Sequence, residues 1–571
     1  MKLNLRLPTR FRNIMGSLMV LGAVTPVSAA TWDNPGTGSW SGNNWYQSGT
    51  YARVLPNASE DASISNGGTA VIDAGQAAVT DQMSIGKLGR TGVSTQSGIG
   101  NLTITGGSLT VGPYDSSIGD YGLGGDQMPG IGTVNMSGGT WTNARHLYIG
   151  HSGVGTFNLT GGTISSPLST IGFDGTGTAT VTGGIWTNSG ELMLGNLAGS
   201  RGTLNQSGGI IRASFVRTGY TTGCLGTINI GAGGSTTGIL DTDYITNKSQ
   251  NILPGVGVVT FNHTSPNHFF TRDGTSTGAG IQINGNISVN KRGSGTTTLT
   301  DAHYYTGPTI IEAGVLAFVE GQCLSPITVN EGAAAGFSLG FPFFSSNTLA
   351  FSATGNSKVK ISGVPSLLAY RLFTTSKVGG ITGIPLLDPP IPGYKLLIET
   401  SGSVLNLVSS YALWAGASGL TGTVGSATDS TLTADPDKDG ATNLAEFAFN
   451  GNPLNGVNNG QIYGLTADTS ADSETALKEL VLTLAVRKTT AAFTAGAPST
   501  ATSVSDGITY SIEGSSSLSG FPLTVTPVTL VDPGLPISGP QAADYEYRSF
   551  SLSGSNGLPQ KGFLRAKVTI P

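Results

Sequence analysis

The chain has 571 residues, a formal net charge of -5 and only 11% charged residues. That length calls for several domains, and so few charges argue against a charged disordered chain. No basic run follows the first residues, so nucleic acid is not an expected partner. Glycine and proline (87 and 27 residues) stay below the roughly 25–30% of a low-complexity chain.

Residues 1–29 read as an export signal. Lys2, Arg6, Arg10 and Arg12 precede a short apolar stretch from Ile14 to Val24, and Val27-Ser28-Ala29 fits a small-residue cleavage site before Ala30. The apolar run falls short of the ~20 residues of a membrane span, and no later segment could cross as a helix. The expectation is an exported chain, extracellular or on the outer cell surface. Cys224 and Cys323 lie in different segments and are expected as free thiols or an incidental bridge.

Residues 30–80 carry Trp32, Trp40 and Trp45 among Gly, Asn and Ser. An open solenoid end exposes core and unpaired edges, so these tryptophans are expected in a cap; a sugar-stacking platform is the alternative. Residues 81–250 repeat one phrase. Thr133-Val134-Asn135-Met136-Ser137-Gly138-Gly139 recurs at 101–107, 156–162, 178–184, 203–209 and, worn, at 227–233. Steps of 22 to 32 residues between the second glycines are the mark of a solenoid.

Each copy predicts three strands. Apolar and polar residues alternate before the Gly-Gly turn, which is strand period. A bulky apolar residue follows the turn: Leu109, Trp141, Ile164, Trp186, Ile211. The copy closes on apolar-Gly, as in Ile149-Gly150 and Ile171-Gly172. Coils stacked at about 4.8 Å would give parallel sheets with like residues in ladders. Asn135, Asn158, Asn205 and Asn229 are expected to form an outward ladder. The stretch from Tyr114 to Gly130 reads as an inserted surface loop.

Taken together, the tryptophan-rich start, the GTxNxSGG coils and Gly293 to Phe318 (GSGTTTLTDAHYYTGPTIIEAGVLAF) resemble bacterial autotransporter-associated β-strand-repeat proteins. The last stretch is similar to their passenger-associated repeat at Gly293, Gly295, Leu299, Thr300, Tyr305, Thr306, Gly307, Thr309, Gly314 and Leu316. It departs at Asp301, Ala302-His303 and Pro308. The resemblance covers about 31–410 and implies a right-handed parallel β-helix outside the cell, with no particular activity. Repeat coils are expected over 251–345 and the end of the solenoid over 346–410, where Tyr394 to Leu407 alternates as a closing hairpin.

Residues 411–455 change character. Tyr411 to Leu420 has a helical look. Asp435, Asp437 and Asp439 then lie two apart, followed by Gly440, Ala441, Asn443 and Glu446. This is the spacing of a calcium loop. The three carboxylates converge on one hard cation, Gly440 makes the turn, the Ala441 carbonyl and Asn443 add ligands, and Glu446 closes from the following helix. The loop resembles dockerin and thrombospondin-type calcium loops in a single copy. Ca2+ is the expected ion, in a structural role.

Residues 456–571 predict a C-terminal β-sandwich, with strands at Leu480 to Val486, Ile508 to Glu513, Tyr545 to Leu552 and Gly562 to Ile570. The finish, Val568-Thr569-Ile570-Pro571, is unlike that of an outer-membrane translocator barrel. The fold expectation is all-β: a parallel β-helix, a small calcium-loop module and a sandwich. The function expectation is a structural or adhesive surface protein, monomeric, with polysaccharide or cell-surface and matrix components as partners. The alternatives are a β-helix polysaccharide lyase or hydrolase and a non-catalytic carbohydrate-binding protein. An enzyme is not expected, because the array's acids (Asp115, Asp120, Asp126, Asp174, Glu191, Asp241, Asp243) recur in no single column. None of the five histidines makes a metal spacing.

Overall fold

Apolar side chains at every second position, with glycines at fixed intervals, oblige this chain to coil rather than to pack helices. A computed structural model describes residues 28–47, 52–87, 98–120, 129–248, 253–319, 321–340, 343–366, 368–458, 460–469, 478–488, 491–495, 501–518, 520–539, 541–552 and 562–570. The expected export signal (residues 1–29) thus lies outside the described residues up to position 27, as does the middle of the expected loop before Gly130. Contacts divide the chain into two compact units. The N-terminal unit holds residues 1–263, 272–274 and 283–287; the C-terminal unit holds the rest.

The N-terminal unit is a parallel β-helix of three sheets. The first sheet runs in order from Ser28–Trp32 to Tyr244–Thr246, the second from Thr37–Ser39 to Val256–Asn262, and the third from Ala77–Thr80 to Ile239–Asp241. Trp141 pairs with Ile164, and Ile164 with Trp186, in successive coils. The glycines that end the coils (Gly86, Gly119, Gly150, Gly172, Gly195 and Gly219) all have φ between 64° and 72°, the left-handed corner an L side chain resists. Gly155 is required for another reason. A Cβ there would sit 2.1 Å from the Gly150 nitrogen, so strand and corner meet backbone to backbone.

Inside the coils, volume is shared between columns. Val134 faces inward in the coil of Trp141, Phe157 in the coil of Ile164, and Ala179 in the coil of Trp186; all six are 0% exposed. The Phe157 ring lies 6.1 Å from Trp141 and 5.4 Å from Trp186, edge to face. Large and small residues alternate so that each coil fills the same cross-section. Asn143 is a polar exception, accepting from Trp141 Nε1 at 3.1 Å and from the Ser116 hydroxyl. Outside, Asn158 donates to Asn135 and Asn229 to Asn205, each at 2.8 Å. Thr180 stands between the two pairs in the same column, so the expected ladder is interrupted there.

At the N-terminal end, Trp32, Trp40 and Trp45 are each 1% exposed. Trp45 packs on both others with ring centroids 5.1 and 4.6 Å away. They form the cap and present no open ring to a sugar.

The C-terminal unit begins with further parallel coils. One sheet passes through Thr309–Ile311, Pro326–Val329, Thr348–Phe351 and Ile381–Thr382. Another passes through His268–Phe270, Thr296–Leu299, Val315–Phe318, Ala334–Ser338 and Lys358–Ser362. The coils end in the hairpin of Tyr394–Ile398 and Val404–Ser409. Helix α1 (Ser410–Ala417) follows, capped by the Ser409 hydroxyl, and then α2 (Asn443–Phe449), capped by Thr442. Two antiparallel sheets close the unit. Glu479–Arg487 and Tyr545–Leu552 are central to one, and Ile508–Ser515 to the other. Leu482, Leu484, Ile508, Ile512 and Phe550 from the two sheets share one core with Tyr411, Trp414, Phe447 and Phe449. The sandwich is therefore built with the two helices inside its core. Cys224 and Cys323 are buried free thiols.

Candidate metal centre

The acidic loop folds around its own carboxylates. The Asp435 carboxylate accepts from the backbone N–H of Asp439 at 3.2 Å and of Gly440 at 2.9 Å, and Asp439 accepts from Ala441 N–H at 2.8 Å. Lys438 and Gly440 take φ of 64° and 94°, which turns the chain sharply enough to bring alternate side chains to one point. One oxygen each from Asp435, Asp437 and Asp439 lies within 4.8 Å of the others.

Glu446 faces this trio from the first turns of α2, close enough to feel all three charges but outside the group that lies within 4.8 Å. It is 0% exposed, and neither carboxylate oxygen has a hydrogen-bond partner. Burial, and then the charges of Asp437, Asp439 and Asp435, push its carboxyl up to about 8. Asp437 is also raised, by burial first and then by Asp439. A buried carboxylate facing three more carboxylates, with nothing to accept from, is costly unless a cation or proton resolves it. An all-oxygen donor set of this charge suits a hard divalent ion. The residues present therefore fit the expected calcium.

Asn443 has a second task. It is wholly buried, and its side-chain amide donates to the carbonyls of Asp429 and Thr431, each at 2.8 Å, tying the start of α2 to the loop before it. Its Oδ1 makes no hydrogen bond. The other end of α2 is held by tyrosines: Tyr545 donates to the Phe447 carbonyl at 2.6 Å and Tyr510 to that of Ala448 at 3.0 Å. Arg487, 1% exposed, lies between the rings of Phe447 and Tyr545 and pairs with Asp506 at 2.6 Å and Asp544 at 3.3 Å. The sequence gives no local sign of this buried arginine, because its partners lie 19 and 57 residues away.

The acids of the N-terminal unit are placed differently. Asp115 pairs with Arg145, Glu191 with Arg217, and Asp241 and Asp243 with Arg272. Asp120 lies 3.6 Å from Lys87 and 2.8 Å from His151, and His151 stacks on Phe173 with centroids 5.1 Å apart. Lys87, Asp120, His151 and Phe173 occupy the position after each coil's apolar-Gly. Their types vary freely from coil to coil, yet in space they form a continuous rail of contacts. Asp61 is the perturbed acid on this face: burial, then Asp81, raises its carboxyl against the pull of Lys87.

Residues 289–318 match the model of the passenger-associated-transport-repeat family. The match falls on parallel coils of the C-terminal unit and overlaps the Gly293–Phe318 stretch that carries the resemblance in sequence. No curated protein and no solved structure matches the chain. Among the described residues, no helix is long and apolar enough to cross a membrane.

Proposed function

We propose that the chain is an exported, surface-displayed structural and adhesive repeat protein, and that a calcium ion held by Asp435, Asp437, Asp439, the Ala441 carbonyl, Asn443 and Glu446 locks its C-terminal region. The observation that carries the calcium reading is Glu446, fully buried and without a hydrogen-bond partner against three aspartates. The passenger-repeat match and the stacked coils support the surface role. The reading is non-catalytic: Asp115, Asp120, Glu191, Asp241 and Asp243 are engaged in ion pairs, and Asp126 lies outside the described residues.

Melting of the whole chain in chelator and in millimolar calcium tests it. Extracellular calcium modules bind at about 10⁻⁴ to 10⁻³ M, and calcium at about 10 times its dissociation constant adds roughly 1.4 kcal/mol. Glu446→Gln should fold and lose the calcium response. Identical curves with and without calcium would reduce the loop to an acidic turn. Proteolysis of intact producing cells tests display: a chain protected until the cells are lysed would contradict it.

A further inference from the structure

The outer face of the second sheet of coils in the C-terminal unit is hollowed into a trough of about 540 Å³. Its size lies within the range of small-ligand sites. Register explains the hollow. Phe269, Thr298, Ala317, Gly336 and Lys360 stand in one outward column, one per coil. The middle two are the smallest side chains available. A Cβ on Gly336 would come 2.7 Å from that of Ala317, so the floor is already closed and any larger residue would fill the trough. Phe269 bounds one end and Lys360 the other, and Ser276 and Gly278 overhang it.

The lining combines an apolar floor with neutral polar groups. Its polar groups are hydroxyls and an amide, among them Asn267, Thr296, Thr298 and Ser338, with Ser362 donating to Ser338 at 3.1 Å. It contains no acidic residue. Lys360 is exposed, while its strand neighbour Lys358 is the one that pairs with Asp388, at 2.7 Å. Most of the remaining lining is apolar, with Phe269, Ala317 and Ile361 among it; an apolar floor rimmed by hydroxyls, with one ammonium at its end, complements an anion that offers both a flat C–H face and hydroxyls.

We propose that this trough binds a short acidic saccharide, a pyranose lying on the Ala317–Gly336 floor with its carboxylate toward Lys360. The proposal rests on the adhesive reading and gives it a ligand class. A peptide strand fits less well, because strand addition needs a sheet edge and the backbone groups here are spent in the parallel ladder. A fatty acyl chain would meet the apolar floor but leave the hydroxyls of Thr296, Thr298, Ser338 and Ser362 unmatched, and laurate is the competitor that the test includes.

Calorimetry of the whole chain, at fixed calcium, against a glucuronate-containing tetrasaccharide and its methyl ester tests this. The acid should bind at least about tenfold more tightly than the ester, the order of one charge-assisted hydrogen bond. Lys360→Gln should remove that preference, and Ala317→Phe should abolish binding of both while leaving the calcium-induced melting shift intact. Equal affinity for acid and ester, no binding of either, or binding of laurate in their place would each overturn the proposal. A chain that binds the acid but ignores calcium would sink the calcium reading and leave this one standing.

Discussion

His303 shows how one buried side chain writes itself into the pH dependence of the whole fold. It is 1% exposed in the coils of the C-terminal unit. Burial, only partly opposed by Asp301, lowers its pKa from 6.5 to about 4. Above 6.5 the ring is neutral whether the chain is folded or not. Between 6.5 and 4 the unfolded chain takes a proton that the folded one refuses, so stability falls as pH falls, by about 1.4 kcal/mol per unit at the steepest. Glu446 runs the other way in chelator: with its carboxyl pushed up to about 8, the calcium-free fold loses stability as pH rises from 4.5 toward 8. The expected outcome is therefore a difference. In urea titrations from pH 4 to 6.5, His303→Gln should show a flatter fall than the parent, and parallel curves would refute the assignment.

At the scale of elements, the coils were legible because their signals are local. Alternation, the Gly-Gly turn and the apolar-Gly ending all fall within one copy, and the strand Tyr545–Leu552 is found at its predicted bounds. Three strands of the sandwich were not foreseen. Ile462–Ala467 has no fully buried residue, Val525–Val528 contains Pro527, and Ala501–Ser505 has one large apolar residue. All three are edge strands, where pattern is weakest and proline is tolerated. The convergence of Asp435, Asp437 and Asp439 was legible because they lie two apart in sequence. The burial of Glu446 was not, since it depends on α2 docking against strands that follow much later. Volume sharing between columns was also hidden, and it makes a prediction. Ala179 is small because Phe157, its ladder neighbour, carries the ring that meets Trp186. Ala179→Phe should cost at least about 1–3 kcal/mol by overpacking. Trp186→Asp should cost about 5 kcal/mol or more, by cavity and buried charge together. Chemical denaturation ranks the two, and a neutral Trp186→Asp would contradict the packing described.

At the scale of the molecule, the acidic loop is coupled to the sandwich through one short helix. Glu446 faces the loop, while Phe447 and Phe449 of the same helix enter the core shared with Leu482, Ile512 and Phe550. Tyr510 and Tyr545 fasten its carbonyls, and Arg487 lies against Phe447. An ion that fixes Glu446 therefore also fixes the helix on which the sandwich core is built. Without one, the three aspartates repel one another and Glu446 stays buried only while it holds a proton, and α2 is the element that can relieve both by leaving. Limited proteolysis of the whole chain should read this directly. In chelator, cuts should appear first between Ser426 and Asn452 and then spread into the sandwich strands. Millimolar calcium should suppress both sets together, because they report one cooperative unit. Magnesium should protect less, since it prefers a smaller octahedral shell with retained water. If calcium protected the loop while cleavage in the sandwich continued unchanged, the helix would not be the coupling element, and the ion would stabilise only the turn that holds it.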